Sequence, residues 1–212
     1  MVRKTKEEAL ETRNHLLDAA EDVFHRLGYA RTTLEAVAEA AGLTRGAIYW
    51  HFKNKSDLFN AMCERVRLPM EELAASGEAR GNDDPLGHLR KVCLFFLTQA
   101  ATDVHLRKVT DILFFKCEFV DPTDQAYVRQ QEAFLRGRGR LTLLLEQAVE
   151  KGQLAADLDV PLAAIMFHGA IDGTLRNWLF STGSFSLVDE AERLVDACLD
   201  MVRYAPSLRK KT

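Results

Sequence analysis

Apolar residues recur at three-to-four spacing in one segment of this chain after another, and no stretch alternates apolar and polar residues in the two-residue rhythm of a strand. A chain patterned this way buries its apolar side chains as stripes on packed helices, which predicts an all-α fold of about nine helices. The first stripe runs from Glu7 to Leu27 through Leu10, Leu16, Leu17, Ala20, Val23 and Phe24, and Gly28 follows as a stop. Thr32-Thr33 supplies an N-cap for a short second helix whose Leu34, Val37, Ala38 and Ala41 share one face, with Gly42 ending it. Thr44 caps a third helix to about His51, and Ser56 caps a fourth to about Leu73, bent near its end by Pro69.

The stretch SGEARGNDDPLG, residues 76–87, is polar and rich in Gly and Asp, and reads as a connection. It suggests a functional boundary between an N-terminal domain, residues 10–70, and a larger helical domain, residues 71–212. Helical spacing resumes over 86–101, 106–119, 123–149, 161–180 and 187–204, with breaks at Asp121-Pro122, Lys151-Gly152 and residues 181–184.

With 212 residues, 47% of them hydrophobic, the chain can bury a substantial core. Its net charge of -3 and pI of about 6.1 lend no support to nucleic-acid binding, so any anion-binding surface must be local. Cys63, Cys93, Cys117 and Cys198 are far apart and form no Cys-x-x-Cys pair, which predicts reduced thiols in a cytosol and neither a disulfide framework nor a zinc site. No motif asks for a cofactor. The start MVRKTKEEALETR is basic but leads into no apolar segment, and no run approaches the eighteen or so residues of a membrane span, so a cytoplasmic protein without export or anchoring is expected.

One local surface stands apart. LTRGAIYWHFKNK, residues 43–55, holds three aromatics, a histidine and three cations without one carboxylate. If Ile48, Leu43 and Phe52 face the first two helices, the remaining side chains spread over an outer surface. Arg45 at the helix start can contact a guanine edge, Gly46 and Ala47 permit close approach to a groove floor, and Tyr49, His51, Lys53 and Lys55 can reach phosphates. Helix-turn-helix proteins dock in this way. The competing reading has the aromatics packed on a neighbouring helix and the cations merely solvated. Arg3, Lys4 and Lys6 upstream could add an arm of nonspecific phosphate attraction.

LTRGAIYWHFKNKSDLF, preceded by the helix from Thr33 to Gly42, closely resembles the DNA-binding domain of the TetR family of bacterial repressors over residues 10–70. MVRKTKEEALETR, DPLGHLRKV, FFKCEF and IDGTLRNWL resemble the family's AcrR/TtgR group, repressors of multidrug efflux pump genes, so the likeness extends nearly end to end. Carried onto matching positions, the resemblance implies base and groove contact by Arg45, Gly46 and Ala47. It implies backbone contact by Thr33, Thr44, Tyr49, Trp50, His51, Lys53 and Lys55. A roughly palindromic double-stranded operator, a homodimer and an apolar or aromatic effector that releases the DNA are the expected partners, with no membrane partner and no enzymatic activity.

In the second half, His168, Asp172 and Arg176 form a polar stripe at i, i+4 spacing on a mostly apolar helix. Two readings fit the residues: convergent polar groups in a pocket among Phe95, Phe96, Phe114, Phe115, Phe119 and Met166, or an exposed Asp172 to Arg176 ion pair. The resemblance favours the pocket, since the AcrR/TtgR group uses an aspartate and an arginine on the helix matching IDGTLRNW. It yields Arg67, Thr110, Phe114, His168, Asp172 and Arg176 as candidate ligand contacts. Phe114 and Phe115 stand where that group often has histidines, which predicts a more apolar cavity. The last two long helices also carry enough apolar surface to pair with a second copy.

Three rivals follow from the residues. Cys117-Glu118 or His168 with Asp172 could be enzymatic, but no nucleophile, base and oxyanion donor can be read from the spacing. A redox-sensing repressor would need Cys63 or Cys117 with a depressed pKa. A helical small-molecule binder without regulatory DNA binding would show no salt-dependent affinity for DNA.

Overall fold

The computed structural model describes residues 6–76, 83–181 and 183–211. Among them the elements are α1 (Lys6–Leu27), α2 (Leu34–Ala40), α3 (Arg45–His51), α4 (Lys55–Ala75), α5 (Pro85–Thr102), α6 (Val104–Phe115), α7 (Gln125–Glu150), α8 (Val160–Phe180), α9 (Leu187–Tyr204) and a terminal 3-10 turn, Pro206–Leu208. The fold is all-α, as the apolar periodicity predicts. Residues 77–82 of the polar connection, Arg3 and Lys4 of the basic arm, and Thr182 lie outside the described residues.

The chain divides into two compact units. The first takes in residues up to Arg67 together with His105–Gln131, so α6 and the start of α7 join α1, α2, α3 and most of α4. Its core is a single cluster in which Leu16, Leu17, Phe24, Val37, Ile48, Phe59 and Met62 meet Val109 and Ile112 of α6. Fully burying a side chain of this size contributes about 1.5–3 kcal/mol, which lets helices too short to persist alone stay folded. An aromatic group closes one end: Phe59 meets Phe24 edge-on at 5.2 Å and Tyr29 at 4.9 Å, and Phe119 lies 5.4 Å from Tyr29.

Two element boundaries in this unit differ from the expectation. The cap of α4 is Asn54, whose Oδ1 accepts the Asp57 amide at 2.8 Å, while Asp57 Oδ2 accepts the Lys53 amide at 3.0 Å. Ser56 instead donates its hydroxyl to Asp124, 3.0 Å away. The helix expected over 106–119 stops at Phe115. The Lys116 carbonyl accepts the Tyr29 amide at 2.8 Å, and the chain leaves the helix to bring Phe119 against Tyr29 and Phe59. An apolar residue at helical spacing is thus packed against the core, partly buried, by a non-helical segment.

The second unit holds Leu68–Val104 and the chain from Glu132 onward. Here α9 packs along α5 and α8, burying Leu89, Cys93 and Leu97 of α5, Phe167, Ile171 and Leu175 of α8, and Val195, Leu199 and Val202 of α9. Arg90 fastens α5 to α9 through a two-pronged contact with Asp196, 2.6 Å and 3.0 Å. Asp84 caps α5 by accepting the Gly87 amide at 2.9 Å, and a Cβ on Gly87 would fall 2.0 Å from Asp84 Oδ2. No side chain fits there while the cap is made. Asp159 caps α8 and Ser186 caps α9 in the same manner. Among the described residues no helix is long and apolar enough to cross a membrane.

Candidate nucleic-acid interface

The opening surface belongs to α2, the turn after it, and α3. Thr33 caps α2 by accepting the Ala36 amide at 3.1 Å, and Thr44 caps α3 by accepting the Ala47 amide at 3.2 Å. Between them Gly42 takes φ +65°, and its amide and that of Leu43 donate to the carbonyls of Glu39 and Ala38. A Cβ at Gly42 would meet nothing within 4 Å, so the backbone conformation, not space, calls for glycine. The tight turn sets the angle between the two helices.

Ile48 is fully buried and Phe52 nearly so, which orients α3 against the core of the first unit. The opposite face is open: the Arg45 side chain is 73% exposed and Trp50 is 72% exposed, with Tyr49, Thr33, Thr44, Gly46 and Lys53 also exposed. The competing reading, aromatics packed on a neighbouring helix, does not describe Trp50, whose ring contact is the neighbouring His51 ring, edge-on at 4.5 Å. The indole stands solvated on the same face as Arg45 and Tyr49.

Not every candidate cation is equally placed. The Lys55 ammonium turns back on its own unit, donating to the carbonyls of Tyr29 and Ala30 at 3.0 Å and 3.1 Å and sitting 4.6 Å above the Tyr29 ring. It steadies the end of α1 first of all. The hydroxyl of Tyr29 in turn donates to Asp124, at 2.9 Å from Oδ2, and burial pushes that phenol far above its ordinary range.

Sequence reasoning passed over Glu35, because an acid in the first turn of α2 is already explained by the helix dipole. In the structure its Oε1 accepts the Tyr49 hydroxyl at 3.0 Å and lies 3.2 Å from Arg45 Nε. Its own backbone N–H, then Tyr49 and Arg45, hold the carboxyl below the usual carboxylate range.

The candidate ligand contacts fall in both units. In the first, Arg67 donates to Gln130 at 2.7 Å, Thr110 is buried with its hydroxyl donated to the Leu106 carbonyl at 2.7 Å, and Phe114 meets Phe115 edge-on. In the second, the Asp172 carboxylate lies 3.6 Å from His168 Nδ1, and the His168 ring meets Phe134 edge-on at 4.7 Å. Burial raises the Asp172 carboxyl, outweighing the downward pull of His168. The stripe read from sequence therefore pairs Asp172 with His168, and Arg176 is exposed. Phe119, weighed as pocket lining, packs on Tyr29 and Phe59 of the first unit.

Elsewhere in the first unit Asp18, Glu21 and His105 bring possible ligand atoms within 4.8 Å of one another, but the Arg65 guanidinium already supplies the positive charge there. Burial pushes the Cys93 and Cys117 thiols up to about 12, and raises Cys63 and Cys198 too. A thiolate sensor needs the opposite shift.

Two short helices joined by a glycine turn, the second carrying cations and aromatics on its outer face before a closed apolar core, define a helix-turn-helix DNA-binding protein. Residues 16–62 match the model of bacterial regulatory proteins of the tetR family, and residues 84–204 match the C-terminal region of MAATS-type transcriptional repressors. The chain belongs to the TetR family of transcriptional regulators. The HTH-type transcriptional regulator TtgR of Pseudomonas putida is 43% identical over 210 residues, covering 99% of this chain and all of the relative. Among solved structures, NalD, the secondary repressor of the MexAB-OprM multidrug efflux pump in Pseudomonas aeruginosa, is 33% identical with a TM-score of 0.78, covering 94% of this chain and 100% of that one. A SmeT–triclosan complex is 32% identical with a TM-score of 0.81, covering 95% and 96% of the two chains; SmeT is the repressor of the Stenotrophomonas maltophilia pump SmeDEF.

Proposed function

We propose that this protein is a cytoplasmic, ligand-responsive repressor of a multidrug efflux pump operon, released from its operator by apolar or aromatic small molecules, and that it is not an enzyme. The observation that carries the reading is the open face of α3, where Arg45, Tyr49 and Trp50 stand exposed over the buried Ile48 and Phe52. NalD and SmeT, similar along almost their whole length, are repressors of such pumps, and SmeT has been seen with triclosan.

In this reading residues 10–70 bind DNA and residues 71–212 bind the effector and a second copy. Arg45, Gly46 and Ala47 enter the major groove, while Thr33, Thr44, Tyr49, Trp50, His51, Lys53 and Lys55 hold the sugar-phosphate backbone. Thr110, Phe114, His168, Asp172 and Arg176 serve the effector, joined by Arg67 from the end of the DNA-binding segment. Leu162, Ile165 and Met166 of α8 and Val188 of α9 are large apolar residues left exposed, which suits a homodimer face and a roughly palindromic operator. Effector binding shifts the operator affinity by its differential affinity for the two states, and by no more.

The test is fluorescence anisotropy of the purified protein on duplex DNA from upstream of its own gene, across a salt series, with and without triclosan and other apolar aromatics. Tight, salt-sensitive binding that a compound weakens is expected. Affinity equal to that for an unrelated duplex, or unmoved by any compound, would overturn the corresponding half of the proposal.

A further inference from the structure

Among the described residues, Glu35 is the carboxylate that pairs with the residue expected to read bases. Its Oε1 accepts the Tyr49 hydroxyl at 3.0 Å and faces Arg45 Nε at 3.2 Å, while the guanidinium carbon of Arg45 sits 5.4 Å from the centre of the Tyr49 ring. As an exposed ion pair this contact adds little stability. Its geometric effect is larger. A carboxylate on the Nε side and an aromatic ring beneath the guanidinium carbon favour some directions of the group over others. The carboxylate's closest approach to the guanidinium is an ion pair at Nε, on the side away from the terminal Nη pair.

We infer that Glu35 is a specificity-determining residue that acts through Arg45, holding its terminal Nη pair as the edge offered to DNA. That pair has the spacing to match O6 and N7 of guanine. An unrestrained arginine meets phosphates in many rotamers and distinguishes no sequence, whereas a restrained one loses less freedom on making the two-pronged contact. The negative charge of Glu35 also opposes stray phosphate contacts by its neighbours. Both effects raise discrimination between sequences more than affinity. The inference rests on α3 being the DNA reader.

The experiment is selection of the full-length protein on a randomised duplex pool, followed by sequencing of the bound fraction, for the wild type, Arg45→Ala, Glu35→Ala, Glu35→Gln and the Glu35→Ala/Arg45→Ala double variant. The wild type is expected to enrich a half-site with a guanine preference that Arg45→Ala abolishes. Glu35→Ala weakens that same preference roughly five- to tenfold, a part of what one bidentate contact supplies, and leaves the other positions unchanged. Glu35→Gln, whose amide oxygen still accepts, falls between, and the double variant selects like Arg45→Ala. Full guanine preference in Glu35→Ala overturns the inference, as does an equal fading of every position in both Glu35 variants, which would mark a charge effect alone. Wild-type protein that enriches no sequence overturns the DNA-reading assignment as well.

Discussion

Glu21 on α1 is 1% exposed and paired with the Arg65 guanidinium of α4, which also reaches Asp18 at 2.8 Å; the second Glu21 oxygen lies 2.7 Å from His105 Nδ1 on α6. One buried carboxylate thus joins three helices of the first unit. Removing the Arg65 guanidinium leaves the buried carboxylate with His105 alone, and breaking a buried pair costs about 3–5 kcal/mol. Arg65→Leu is therefore expected to lower the urea midpoint strongly, and the Glu21→Leu/Arg65→Leu double variant to recover most of the loss. A single variant within about 1 kcal/mol of wild type would show that the pair does not hold the unit together.

Neighbouring positions on α3 should separate stability from function. Ile48→Ala removes a fully buried side chain and should cost about 2–5 kcal/mol. Trp50→Ala touches an exposed ring and should change stability by less than about 0.5 kcal/mol, yet weaken DNA binding. Thermal melts beside anisotropy titrations check both, and a Trp50→Ala protein that binds DNA unchanged would remove the indole from the interface.

Asp172 makes a pH prediction. Its carboxyl is raised above the ordinary 3.8 by burial, against the pull of His168, so ionising it disfavours the folded state. That penalty is full above the raised pKa and disappears below the unfolded value. Asp172→Asn should accordingly melt higher than wild type near neutral pH, with the gap closing as pH falls toward 3.8. A gap that widens on acidification would contradict the sign.

The thiols provide a kinetic check. With Cys93 and Cys117 raised to about 12, the thiolate fraction at pH 8 is on the order of one in ten thousand. Native protein should react slowly with a disulfide reagent at all four cysteines and quickly once unfolded. One fast-reacting cysteine in the native state would revive a redox-sensing reading.

The reader's inner face was legible in the sequence because helical spacing alone places Ile48 and Phe52 on one side and leaves Arg45, Tyr49 and Trp50 elsewhere. The cap of α4 was misplaced from Asn54 to Ser56 because both residue types cap helices well, and the choice turns on Asp124, which lies far along the chain. Phe119 kept the helical period yet left the helix, since a ring can be buried by any backbone that delivers it. Glu35 was hidden for a related reason: its pairing with Arg45 depends on the angle set at Gly42, and no periodicity encodes that angle.

The membership of the first unit matters to anyone hoping to transplant this reader onto another sensor. A graft ending at residue 67 would leave Val109, Ile112 and Phe119 behind, strip Glu21 of His105, and deprive Tyr29 and Ser56 of Asp124. The transplanted piece would arrive with a hole in its apolar interior and orphaned polar groups at its edge. A working chimera has to carry residues 105–131 along with the first 67, so the natural seam for exchange is discontinuous in the chain.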